Sequence, residues 1–220
     1  EIRLATNNES SYVYMNDTLY TRTVPVMLHE ILHVFGAVGV GNIGSQYIDT
    51  NNHYYFGTNG VLQYKNLLTN NGYDISNLEN YIPIENNFGS GTQNSHFEEG
   101  ISDDYSEEYR YITNTEGISI QYPSIQNEIM SGFLDTYNYI TPITLGILDD
   151  MGFGVNYNSP YSTYTGNNLE IIYDSTQSLT NKNSNSQSNS NESITNNILS
   201  SKKGTYCTCK NKICTIRYFN

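Results

Sequence analysis

The segment His29-Glu30-Ile31-Leu32-His33 narrows what this chain can become more than any other part of it. On an α-helix, residues four apart stand one above the other on the same face, so the two imidazoles can meet a single metal ion. Glu30 is the next residue along and projects beside them. There it can take a proton from a water polarised by the ion without binding the ion itself. Two histidine ligands, a carboxylate base and an open coordination position are the parts of a hydrolytic zinc site. The competing reading is a helix that carries two hydrogen-bonded histidines by chance.

The flanking sequence predicts the helix that this site requires, over 24–35. Thr23 stands as its N-cap, and Pro25 falls near the first helical positions, where a missing N–H is tolerated. Leu28, Ile31, Leu32 and Phe35 form an apolar stripe at helical spacing. Gly36 ends the helix in a left-handed turn, which also lets the chain turn sharply beneath the metal. A second helix is expected to open at Thr141-Pro142, with Leu145, Leu148 and Met151 on its apolar face and Gly152 closing it. Residues 1–23 alternate enough to supply one or two strands, Asn59-Gly60 marks a turn, and 61–68 suits a short helix.

Two histidines do not complete a catalytic site, and the chain has only four. A compact spacing would put the third ligand six residues after His33, but Gly39 is there. The candidates are therefore His53, in Asn51-Asn52-His53-Tyr54-Tyr55, and His96. The surroundings of His53 favour a surface residue. A carboxylate third ligand is the other possibility, although no glutamate stands at the spacing expected on a following helix.

At this point the chain resembles a known family. The run Tyr81-Ile82-Pro83-Ile84-Glu85-Asn86-Asn87-Phe88-Gly89-Ser90-Gly91-Thr92-Gln93-Asn94-Ser95-His96-Phe97 is similar to the third-ligand region of the leishmanolysin-type metalloproteases, which belong to the metzincins. That family places a long insertion before its third histidine, and here 59 residues separate Gly36 from His96. Asn127-Glu128-Ile129-Met130-Ser131-Gly132-Phe133-Leu134 resembles the family's Met-turn, whose methionine forms an apolar floor under the metal. The segment from Ile143 to Tyr157 resembles the helix and strand that close its catalytic domain. The resemblance spans roughly 24–157, with gaps.

The resemblance implies an α+β metzincin-like catalytic domain holding one catalytic zinc ion. It implies His29, His33 and His96 as ligands, Glu30 as catalytic carboxylate and Met130 as the Met-turn residue. The implied activity is hydrolysis of internal peptide bonds in protein or peptide substrates, at a cell surface or after secretion. Two features depart from the family. Only 28 residues precede His29, so the N-terminal sheet subdomain is expected to be truncated or reduced. The family's disulfides have no counterpart in the body of the chain.

Charge and cysteine usage divide the chain. Residues 1–160 carry 19 acids and four bases, whereas the remainder carries three acids and six bases, within a total of −12. An acid excess of this size argues against nucleic acid as partner. No apolar run is long enough to span a membrane. We expect a catalytic domain over 1–160, a Ser/Asn-rich linker over 161–201 and a short basic tail over 202–220. The tail holds Cys207, Cys209 and Cys214, the only cysteines. They suit a disulfide with one thiol left over, or three of the four ligands of a structural zinc. The tail itself is expected to form a small hairpin or to remain unstructured.

The acidic stretch over 98–108 reads as a solvated loop. The alternatives are a rim that attracts basic substrates, or a calcium site. Two rival functions stand beside the endopeptidase. One is a zinc aminopeptidase with a glutamate third ligand, which would release single N-terminal residues. The other is a non-catalytic surface or virion protein that keeps the scaffold for binding. Oligomeric state is open.

Overall fold

A computed structural model of the chain describes residues 2–3, 12–39, 43–86, 89, 91–99, 110–113, 116–158, 171–172, 205–210 and 213–218. Its elements in order are β1 (Ile2–Arg3), β2 (Tyr12–Met15), β3 (Thr18–Thr21), α1 (Thr23–Phe35), a 3-10 turn (Ile43–Tyr47), β4 (Ile48–Asp49), β5 (Tyr54–Tyr55) and α2 (Thr58–Asn70). They continue with β6 (Ile82–Pro83), β7 (Arg110–Thr113), β8 (Ser119–Tyr122), β9 (Ser124–Ile125), β10 (Tyr137–Asn138), α3 (Pro142–Asp150), β11 (Ile171–Ile172), β12 (Thr205–Lys210) and β13 (Ile213–Tyr218). Helices and small, mostly antiparallel sheets are mixed along the chain, so the fold is α+β. Among the described residues no helix is long and apolar enough to cross a membrane.

β2 and β3 form a hairpin closed by Asn16 and Asp17, both at positive φ, as a two-residue turn between twisted strands requires. β10 adds to the free edge of β2 in parallel. This sheet ties the strand that leads into α1 to the strand that leads into α3. A second sheet runs β4-β5-β6. Its last strand is prolonged by bridges from Ile84 to Phe97 and from Phe97 to Ser131. Residues 82–85, 96–98 and 131 thus lie side by side. The tail forms the antiparallel hairpin β12–β13, with Cys209 opposite Cys214 in register, and β1 pairs with β13. Of residues 161–201, expected as linker, only Ile171 and Ile172 are described; they form β11, which pairs antiparallel with β9, and the rest lie outside the described residues.

α1 begins at Thr23, one residue earlier than expected, with Arg22 rather than Thr23 at the cap position and no side-chain cap bond. Gly36 does close it at φ 97. The buried face differs from the expected stripe. Val26, His29, Glu30 and His33 point inward together with Leu32, whereas Ile31 and Phe35 are exposed and Val34 is 72% exposed. Spacing by three and four residues holds, but polar side chains occupy the inward positions that an apolar count overlooks.

α2 absorbs Asn59-Gly60, which form part of its first turn and not a separate turn. The carboxylate of Asp150, at the far end of α3, explains why. It accepts from the backbone N–H of Asn59 (2.8 Å) and Gly60 (2.9 Å), and from the Tyr55 hydroxyl (2.8 Å). Two of the unsatisfied donors of the α2 N-terminus are thus met by another helix. On α3, Thr141 caps through its hydroxyl to the Ile143 N–H, as its position before proline suggests. Ile143, Thr144, Gly146 and Ile147 form the buried face, while Leu145, Leu148 and Met151 are only half-buried.

Gly146 lets α2 and α3 approach closely. A Cβ there would lie 2.6 Å from the Asn59 carbonyl oxygen and 2.8 Å from the Gly60 Cα. Because the obstructing atoms are backbone, Gly146→Val is expected to cost about 3 kcal/mol, read as a lowered midpoint in thermal or denaturant unfolding. An unchanged midpoint would contradict this packing.

Candidate metal centre

Three imidazoles from two distant parts of the chain meet in the interior. α1 supplies His29 and His33, and the strand-like segment that follows the loop over 91–95 supplies His96. The Nε2 atoms lie 3.0 Å apart for His29 and His33, and 3.2 Å apart for each of the other two pairs. All three residues are buried. Among the described residues this is the group of side chains arranged to hold a metal ion. His53 is not part of it. Its Nδ1 sits 2.6 Å from the Asn94 Oδ1, and it is half-buried against the His96 loop.

Each ring is fixed through its other nitrogen. His29 Nδ1 donates to the Ile129 carbonyl at 2.6 Å, His33 Nδ1 to Val38 at 2.9 Å and His96 Nδ1 to Thr92 at 3.1 Å. A carbonyl can only accept, so each Nδ1 carries the proton and, in the neutral ring, each Nε2 presents a lone pair. The rings are neutral at ordinary pH. Burial first, and then the neighbouring His33, hold His29 down to about 3. Burial likewise lowers His33, and it lowers His96 well below the usual range, aided there by His33 and His29. Three lone pairs therefore converge with no proton among them, which is unfavourable unless a cation sits between them. Nitrogens bonded tetrahedrally to one ion at about 2.0–2.1 Å are about 3.3–3.4 Å apart, close to the spacing seen here.

Local backbone serves the same end. Gly36 N–H returns to the His33 carbonyl and Ala37 N–H to that of Leu32, so the chain doubles back under α1. Val38 then takes φ 42, a strained value for a β-branched residue, where its carbonyl receives His33. On the other side, residues 127–131 form the turn expected around Met130. Met130 is fully buried, and its carbonyl accepts from Phe97 N–H at 3.0 Å, directly after His96.

Glu30 is 2% exposed and lies beside His29 on the buried face of α1, but it is not among the ligand-forming group. A buried carboxylate next to a ligand set that excludes it can serve as a proton acceptor.

One expectation about acids needs correction. Glu98 and Glu99, the first residues of the supposed solvated loop, are buried, while 100–108 lie outside the described residues. Both belong to the segment that continues from His96, and that segment is held inside by backbone bonds from Glu98 N–H to Pro83 and from Ile125 N–H to Glu98. Burial, followed by Glu85 and Glu98, holds the Glu99 carboxyl well above the ordinary range. Some of the formal −12 is therefore no surface field at all.

The sequence also gave no warning of Glu128. It is fully buried, and its carboxylate accepts from Met130 N–H (2.5 Å), Thr141 N–H (3.2 Å), Thr141 Oγ1 (3.0 Å) and Thr144 Oγ1 (2.6 Å). Those donors favour the anion, but burial outweighs them and pushes the carboxyl up to about 7 from 4.5. With the folded value above the unfolded one, the group's contribution to stability is complete below pH 4.5 and is lost as pH rises through 7. The stability of the natural chain relative to Glu128→Gln is therefore expected to fall by about 3 kcal/mol from pH 4.5 to above pH 7. Paired denaturant titrations across that range check it, and a difference independent of pH would contradict it.

Comparison of the chain with protein-family models, with curated proteins and with solved structures finds no match.

Proposed function

We propose that the chain is a zinc-dependent endopeptidase of the metzincin type, resembling the leishmanolysin-like enzymes. The observation that carries this reading is the convergence of three neutral Nε2 lone pairs, from His29, His33 and His96, at 3.0–3.2 Å from one another. Three imidazoles fit zinc, which favours nitrogen ligands and keeps a further position open in catalytic sites. When bound, zinc supplies Lewis-acid polarisation of the scissile carbonyl and lowers the pKa of water toward about 7.

The chain's own residues do the rest. Glu30 accepts a proton from the attacking water as the new C–O bond forms, and returns it to the amide nitrogen as the C–N bond breaks. The carbonyls of Ile129, Val38 and Thr92 fix the three rings and keep each proton on Nδ1. In this reading the fully buried Met130 supplies the apolar floor of the site. The substrates of this reading are proteins and peptides.

The test is digestion of an unstructured protein by the zinc-loaded chain, with the products read by mass spectrometry. Internal fragments would support the endopeptidase. Single residues released from the N-terminus would point to an aminopeptidase instead, and intact substrate would contradict both.

A further inference from the structure

We infer that Glu128 is a positioning residue of the metal centre, whose carboxylate sets the turn that orients both His29 and His96. This rests on the reading of the three histidines as a metal site and adds to it the element that fixes the site's geometry.

The turn over 127–131 presents two successive carbonyls in two directions. Ile129 faces His29 Nδ1 at 2.6 Å, and Met130 faces the N–H of Phe97, the neighbour of His96, at 3.0 Å. One short turn thus gives a common register to ligands 67 residues apart in sequence. Glu128 is bonded at both ends of this turn. Its carboxylate receives Met130 N–H, and its own carbonyl receives Ser131 N–H at 3.0 Å. The same carboxylate is anchored to the first turn of α3 by Thr141 and Thr144.

The peptide that carries the Ile129 carbonyl has the Met130 N–H at its other end, so without that anchor it loses its bond to the Glu128 carboxylate, and the bond from Ile129 N–H to Tyr139 at 2.7 Å holds only the preceding peptide. The carbonyl could then tilt away from His29. Groups that orient metal-bound histidines in this way typically change metal affinity by about 10–100-fold when removed.

The experiment titrates the metal-free full chain with Co(II), following the visible absorption of the bound ion well below the unfolding temperature. Four proteins are compared: the natural chain, Glu128→Gln, Thr144→Val and Asp150→Asn. Thr144→Val removes one anchor of the carboxylate without touching the turn, and so stands in if Glu128→Gln does not fold. Asp150→Asn weakens the clamp between α3 and α2, far from the turn, and controls for general loss of stability.

Glu128→Gln and Thr144→Val are expected to weaken Co(II) binding about tenfold or more and to change the shape of the spectrum. Asp150→Asn should lower the melting temperature and leave affinity and spectrum as they are. Natural affinity and spectrum in both Glu128→Gln and Thr144→Val would overturn the assignment, as would an equal loss in Asp150→Asn. Failure of the natural chain to bind Co(II) at all would instead overturn the metal-centre reading on which this inference stands.

Discussion

Glu30→Gln is expected to lower peptide-bond cleavage by about a hundred- to ten-thousandfold while leaving metal content unchanged. Glutamine matches glutamate in shape, and position 30 is buried on the inward face of α1 beside His29. The substitution therefore keeps the shape of the side chain and removes its charge and its capacity to accept and return a proton. Glu30 is not part of the ligand-forming group, so the histidines remain free to hold the ion. Turnover should fall with little change in KM, because the interaction lost is one made in the transition state. Natural turnover in the variant would remove Glu30 from the mechanism. Loss of metal together with activity would make it a ligand and not a base.

The second large effect belongs to His96, the proposed ligand from outside the helix. A metal that binds only the folded chain stabilises it by about 4 kcal/mol at a free concentration a thousandfold above its Kd. In His96→Ala two imidazoles remain on α1 and the third Nε2 is gone. The rise in melting temperature on adding zinc should then largely disappear. His53→Ala is the informative control, because it removes a histidine whose Nδ1 contacts Asn94 near the same loop yet lies outside the ligand group. The zinc-induced rise should persist there. An equal rise in both variants would show that His96 is not a ligand.

The two helices that frame the site were legible because their signals are local. Proline near an N-terminus and glycine just past a C-terminus mark α1 and α3 within a residue or two. The pairing of His29 and His33 followed from helical spacing alone. That His96 joins them did not follow from spacing, since the contact is made by the bridges that lay 96–98 between 82–85 and 131. It was expected only through the resemblance. The face of α1 was misjudged because an apolar count ranks Ile31 and Phe35 above His29 and Glu30, whereas this helix turns its histidines inward, where backbone carbonyls hold their rings.

The same blindness hid Glu128, Glu99 and Asp150, whose partners are backbone N–H groups and hydroxyls brought near by folding. An acid that caps a turn or a foreign helix looks, in sequence, like any surface acid. Asn59-Gly60 was mistaken for a turn for the matching reason. Its helical state is secured by Asp150, about 90 residues further along the chain.

The central claim is that His29, His33 and His96 hold one zinc ion, and elemental analysis of the full chain tests it most directly. The protein is loaded with zinc, dialysed against a weak chelator and measured for metal per chain. The account predicts about one zinc per natural chain, as expected for a single set of three ligands, and close to none in His96→Ala. A natural chain that emerges free of zinc, or a variant that retains as much as the natural chain, would contradict it.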